Sequence, residues 1–191
     1  MLELLDKWDK TIMLYLNALH HPGLDNVMIF LSDKYVWIPL YLLIIGIIIK
    51  SYGKKSVIVI LLIIAVVGAA DFTTSSILKP IVKRERPCHN PEISTSLYVP
   101  VGCGGKYGFV SSHSANTFAL ATILLLITRK KVWYLLYLWA ALVAFSRIYL
   151  GVHYPGDIVC GALIGILLAL LFYQIFRKLN TEKNNTASTT D

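Results

Sequence analysis

The chain has 191 residues, a length that suits one domain, with 56% hydrophobic and only 15% charged residues and a mean hydropathy of +0.63. An ordinary soluble domain carries about 25% charged residues, so the composition excludes that class and points to a bilayer, where charge is costly. The net charge of +7 would suit nucleic acid, but no soluble basic face exists to present it, so no nucleic-acid partner is expected.

Residues 1–20 place Leu2, Leu4, Leu5, Trp8, Ile12, Leu16 and Leu19 at helical spacing, with Glu3, Asp6, Lys7 and Lys10 between them. That pattern predicts an amphipathic helix lying in the interface or on the bundle, broken by His20-His21-Pro22-Gly23. No cleavable secretory signal is evident at the start. Five apolar segments follow, at about 24–49, 56–78, 112–128, 132–149 and 155–176. Asp33 and Lys34 interrupt the first. A span needs about 20 apolar residues, fewer where one end is buried in protein, and an open sheet cannot satisfy its backbone in lipid, so all five read as helices. The expected fold is an all-α membrane protein: a bundle of about five transmembrane helices plus the N-terminal amphipathic helix. Residues 1–179 form one membrane-embedded domain, and 180–191 read as a polar, disordered tail.

Lys50, Lys54 and Lys55, then Arg129, Lys130 and Lys131, then Arg177, Lys178 and Lys183 flank the apolar runs. The positive-inside rule assigns these clusters to the cytoplasm. The loops at 79–111 and 147–155 then share the opposite face, and an odd number of spans puts the N-terminal helix there too.

Three clusters of chemistry meet on that face. The first is Lys79-Pro-Ile-Val-Lys-Arg-Glu-Arg86-Pro87. On a helix, residues seven apart lie close to one face, so Lys79 and Arg86 form an oxyanion clamp that Pro87 terminates. A basic loop for lipid headgroups is the plainer alternative. The second is Val110-Ser111-Ser112-His113-Ser114 at the start of an apolar helix, where hydroxyls cap free N–H groups and the same N–H groups can hold phosphate. The third is Ser146-Arg147, then His153 and Asp157. Asp157, four residues after His153, can fix the imidazole tautomer and leave the other nitrogen as a nucleophile. Together these supply fixed positive charge, an attacking His and a proton-donating His, which is what phosphoryl transfer needs without a metal.

The pattern Lys-x6-Arg-Pro, Ser-x-His, then Ser-Arg-x5-His-x3-Asp resembles the type-2 phosphatidic-acid phosphatase superfamily, which also holds soluble acid phosphatases and vanadium haloperoxidases. The resemblance implies that Lys79, Arg86, Arg147, Ser111 and the Ser112 amide bind phosphate. It implies that His113 is the general acid, His153 the nucleophile and Asp157 its orienting partner. No metal and no cofactor are expected, since the residues themselves supply the charge. The family usually has Gly where this chain has Ser112, a position where the backbone approaches phosphate closely. Ser112 is small enough to keep that contact, and its hydroxyl can add a donor.

The expected activity is hydrolysis of a lipid phosphate through a phosphohistidine intermediate. Undecaprenyl diphosphate ranks first, with lipid A and phosphatidylglycerol phosphate as alternatives. A phospholipid transporter or flippase is the reading of another class, without the internal repeats that would favour it. The expected location is a bacterial inner membrane, among membrane lipids, with the site facing the periplasm or exterior. Cys88 and Cys103 bracket a loop on that side, where a disulfide can persist, while Cys160 reads as a packing residue within a span.

Overall fold

In the computed structural model, residues 2–188 have described backbone and residues 3–181 have described side chains. All regular elements among them are helical. Helix α1 is Leu2–Asn17, α2 Pro22–Ser32, α3 Ile38–Tyr52, α4 Ser56–Phe72, α5 Lys79–Val82, α6 Ser112–Thr128, α7 Leu135–Tyr149 and α8 Pro155–Ser188. A π turn, Thr73–Leu78, makes α4 and α5 continuous. Among the described residues, three stretches are long and apolar enough to cross a membrane: Ile38–Val82, Lys131–Tyr149 and Pro155–Thr181. The first is α3 and α4, joined at Gly53, whose φ of 53° suits glycine. Ile44 and Ile48 of α3 pack in one core with Val59 of α4.

Helix α6 is the centre. Ala115, Ala119, Ala121, Ile123 and Leu124 are fully buried, because α4, α7 and α8 surround it. A helix apolar on all faces is buried on all faces. Its tightest neighbour is α8. Gly161 and Gly165 of α8 lie directly against the α6 backbone, so close that a Cβ at Gly165 would stand 2.1 Å from the Ala115 carbonyl oxygen. This is the small-xxx-small contact by which membrane helices approach closely.

The expected segment 24–49 is two helices rather than one. Asp33 leaves the helical region (ψ 119°) and its carboxylate accepts from the Tyr35 amide at 2.9 Å. Pro39 then opens α3, where a missing N–H costs nothing. Helix α5 ends at Val82, before the point expected from Pro87, because Lys83 turns left-handed with φ 52°. Arg86 therefore reaches the site from an extended loop, not from the helical face shared with Lys79. Helix α8 runs beyond Asn180, where the disordered tail was expected, since no Pro or Gly stops it there; residues 189–191 of that tail lie outside the described residues.

Helix α1 lies on the bundle. Met13 and Asn17 are buried, while Leu4, Leu5, Trp8, Ile12, Tyr15 and Leu19 form an exposed stripe. The Asn17 amide donates to the Tyr98 and Tyr149 carbonyls at 2.9 and 2.8 Å and accepts from the Tyr98 amide at 2.8 Å. One buried side chain thus ties α1, the long loop and the end of α7.

Candidate active site

The loop from 83 to 111 doubles back on itself. The Arg86 amide donates to Lys106 O at 3.0 Å and the Gly108 amide to Arg84 O at 2.9 Å. Cys88 and Cys103 are joined by a disulfide with Cα atoms 6.0 Å apart, which closes the same loop. Gly108 lies tightly against the site: a Cβ would be 3.1 Å from Arg86 Cγ and 3.2 Å from an Asp157 carboxylate oxygen, so both side chains would have to give by a few tenths of an ångström.

Beneath this loop lies a polar cavity of about 300 Å³. Lys79, Arg86, Ser112, His113, Arg147 and His153 all line it. The π turn sets the first contact. It places Thr74, Ser75 and Lys79 around one hydroxyl, that of Ser112, at 3.0, 2.8 and 2.9 Å. Such turns recur at functional sites. The Ser112 hydroxyl accepts from the Lys79 ammonium and is already engaged within this cluster, rather than free as the extra donor that the sequence suggested. Ser111 does not line the cavity. It is fully buried, its hydroxyl caps the Ser114 amide at 3.5 Å, and its own amide donates to Asp157 O at 3.0 Å.

His153 stands on the short turn between α7 and α8, with its amide donating to Arg147 O. Its Nδ1 is 3.2 Å from Asp157 Oδ2, and its Nε2 is 3.0 Å from an Arg86 guanidinium nitrogen. Arginine can only donate, so Nε2 accepts and Nδ1 carries the proton toward Asp157. Burial, together with the Arg86 and Arg147 cations, holds the imidazole well below the usual histidine range. It is neutral, with its lone pair on the cavity side where Arg86 stands. Arg86 also donates to Gly105 O at 2.7 Å and Val152 O at 3.0 Å. Arg147 donates to the Ser32 hydroxyl, and its buried Nε has no partner among the described residues. A buried donor without a partner is costly, and an anion in the cavity would relieve it.

The chain belongs to the PAP2 superfamily. The model of that family matches residues 56–181, about two thirds of the chain. The lipid A 4'-phosphatase of Bacteroides thetaiotaomicron is 40% identical over 94% of this chain and 81% of its own. An undecaprenyl-diphosphatase of Sulfolobus acidocaldarius is 34% identical over 80% of this chain and 70% of its own. The fold matches a crystal structure of a PAP2 phosphatidylglycerolphosphate phosphatase from Bacillus subtilis with TM-score 0.71, covering 92% of this chain and 87% of that one, at 22% identity. The protein is therefore a lipid phosphatase of the PAP2 class and an integral membrane protein.

Several residues around this PAP2 site went unread in the sequence. Leu31, Ser32, Lys34 and Trp37 form a wall of the cavity from the break between α2 and α3. Asp71 also lines it and accepts from the Asn116 amide at 2.9 Å, leaving Asn116 Oδ1 without a partner among the described residues. The signal for Asp71 was present, since a carboxylate inside an apolar helix marks a site. An apolar cavity of about 390 Å³ between α3, α4, α6 and α7 abuts the polar one and shares Tyr41, Asn116 and Thr117 with it. Among the described residues, no three His, Cys, Asp or Glu side chains gather in a metal-binding group.

Proposed function

We propose that this PAP2 protein is a lipid A 4'-phosphatase acting through a phosphohistidine. The observation that carries the substrate is the 40% identity to a relative of that name, spread over 94% of the chain. This reverses the order expected from the sequence, which favoured undecaprenyl diphosphate. The pocket supports the reversal. Asp71 would repel a second phosphate, whereas Asp71 and the free Asn116 oxygen offer acceptors to the hydroxyl and amide groups of a sugar. The adjoining apolar cavity offers a place for acyl chain.

In the reaction, Lys79, Arg86 and Arg147 hold the phosphoryl oxygens. His153 Nε2 attacks phosphorus, a P–N bond forms and the bond to the sugar oxygen breaks. His113 gives its proton to that oxygen. Water, deprotonated by His113, then cleaves the P–N bond and releases phosphate. Asp157 keeps the proton on Nδ1 and stabilises the imidazolium-like charge. The fixed cations do this without a metal. A reading of α3, α4, α6, α7 and α8 as five crossings, with the basic turns in the cytoplasm, supports a site on the periplasmic side of a bacterial inner membrane.

The test is phosphate release by purified protein from lipid A, undecaprenyl diphosphate and phosphatidylglycerol phosphate, with chelator present. Lipid A should be the best substrate, and His153→Ala should release nothing. A clear preference for undecaprenyl diphosphate would overturn the substrate.

A further inference from the structure

Arg84 lies outside the spaced motif residues and does not line the cavity, yet it is the most heavily tied side chain near it. Its guanidinium reaches Asp157 Oδ1 at 3.1 Å, Asp9 Oδ2 at 2.7 Å and Asp6 Oδ1 at 3.1 Å. It also stacks over the Tyr154 ring at 3.9 Å. Burial works against its charge, but Asp157 and Asp9 outweigh that and hold it above the ordinary arginine value.

We propose that Arg84, clamped by Asp9 of helix α1, is a positioning residue for the His153–Asp157 pair. The two oxygens of Asp157 have separate partners. Oδ2 accepts from His153 Nδ1 at 3.2 Å and from the Tyr154 amide at 3.1 Å. Oδ1 has Arg84 as its hydrogen-bond partner among the described residues. Asp157 is fully buried, so without Arg84 that oxygen is a buried anion with nothing to meet it, a costly state. The carboxylate would then be free to turn, and the His153 ring with it.

Arg84 is in turn held from α1. Asp9 grips it with one oxygen and accepts from the Gly156 amide at 2.8 Å with the other. Gly156 is in the first turn of α8, one residue before Asp157. Asp9 thus fixes both the cation and the backbone beside the carboxylate. A Cβ at Gly156 would stand 2.8 Å from Asp9 Oδ2, so a side chain there would push the Asp9 carboxylate aside. Asp6 is shared with Lys10 at 2.8 Å, and Lys10 reaches Glu92 at 2.6 Å, so the clamp extends to the long loop.

The inference rests on His153 being the nucleophile. The experiment is Arg84→Gln, Arg84→Lys and Asp9→Asn beside His153→Ala, on whichever of lipid A and undecaprenyl diphosphate the wild type hydrolyses. Arg84→Gln should lower kcat about 10- to 100-fold, by analogy with the outer partners that orient metal-bound histidines. KM should stay within about twofold, because Arg84 does not line the cavity. The acid limb of kcat/KM should move to higher pH, since an Asp157 without its cation holds a proton on His153 more firmly. The other charged groups around the pair are unchanged: Lys79, Arg86, Arg147 and His113 on the cavity side, Asp6, Asp9 and Tyr154 on the other. Arg84→Lys should restore part of the rate, and Asp9→Asn should show the same shift in smaller measure. If Arg84→Gln does not fold, Arg84→Lys and Asp9→Asn carry the same readouts. A lower melting temperature with wild-type kcat per folded molecule and an unmoved acid limb would overturn the proposal. Activity surviving in His153→Ala would instead sink the nucleophile and leave the positioning claim without its target.

Discussion

Gly165→Ala isolates the contact that holds the two histidine-bearing ends together. The added Cβ would sit 2.1 Å from the Ala115 carbonyl oxygen, 2.9 Å from its carbon and 3.0 Å from the Ala119 nitrogen. Carbon contacts relax at about 3.5 Å, so α6 and α8 must separate by roughly 1 Å or more. The obstacle is backbone of the central helix, not the end of a flexible side chain. Overpacking usually costs about 1–3 kcal/mol, and this case belongs at the upper end. Replacing Gly by Ala in a helix returns up to about 1 kcal/mol. The net is about 2 kcal/mol of destabilisation, or roughly 4–8 °C in melting temperature for a chain of this size. Gly46→Ala in α3 is the control, because a Cβ there meets nothing within 4 Å and only the gain remains. Gly161→Ala adds a functional arm. Its Cβ would stand 2.5 Å from the Ser111 carbonyl oxygen, at the cap of the helix that carries His113, so kcat should fall even well below the melting temperature. The assay is thermal unfolding in detergent with phosphate release measured in parallel. A Gly165→Ala protein that melts at or above the wild type would refute this account of the α6–α8 contact.

His113→Ala should slow turnover by about 10²–10⁴-fold, the usual weight of a general acid, read as a fall in kcat on the preferred lipid. The depressed proton affinity of His153 has a stability consequence. Folded His153 stays neutral where the unfolded residue takes a proton, near pH 6.5. Its contribution is therefore intact above about that pH and is lost as pH falls below it; pH-dependent melting of wild type against His153→Ala checks the sign. Replacing Cys88 and Cys103 together with Ser opens a loop of 15 residues' separation and should cost about 3 kcal/mol, measured as a drop in melting temperature matched by reducing the wild type.

Much of the site was legible because its residues are expensive in a membrane. Lys79, Arg147, His153 and Asp157 sit in or beside apolar runs, where charge persists only for a reason, and the structure brings the first three to one cavity with Asp157 behind His153. What failed was geometry that periodicity does not encode. Arg86 was placed on a helix face, but the left-handed turn at Lys83 sends it in from a loop. The Ser111 hydroxyl caps the Ser114 amide, as the sequence leads one to expect of a hydroxyl at a helix start, and Ser111 is not among the residues lining the cavity. Helix α1 reads only as amphipathic in the sequence, because an Asp at position 9 gives no hint of an Arg 75 residues away. The Gly161-x3-Gly165 spacing could have flagged the α6–α8 contact.

The charge arrangement explains why Arg84 and the cavity cations have separate roles. Lys79, Arg86 and Arg147 stand together on the cavity wall, with exposed Lys34 and Asp71 adding one charge of each sign. Asp157 is the carboxylate that could cancel part of that field, since it lies directly behind His153. Arg84 meets Asp157 from the far side, and Asp6 and Asp9 in turn meet Arg84 away from the cavity. The field of the three wall cations is thereby kept for a phosphoryl group, and Asp157 is kept for the imidazole. Without Arg84, the Asp157 oxygen behind His153 would lose its cation, and the nucleophile would lose its orientation while Arg86 stays on the cavity wall for the phosphate.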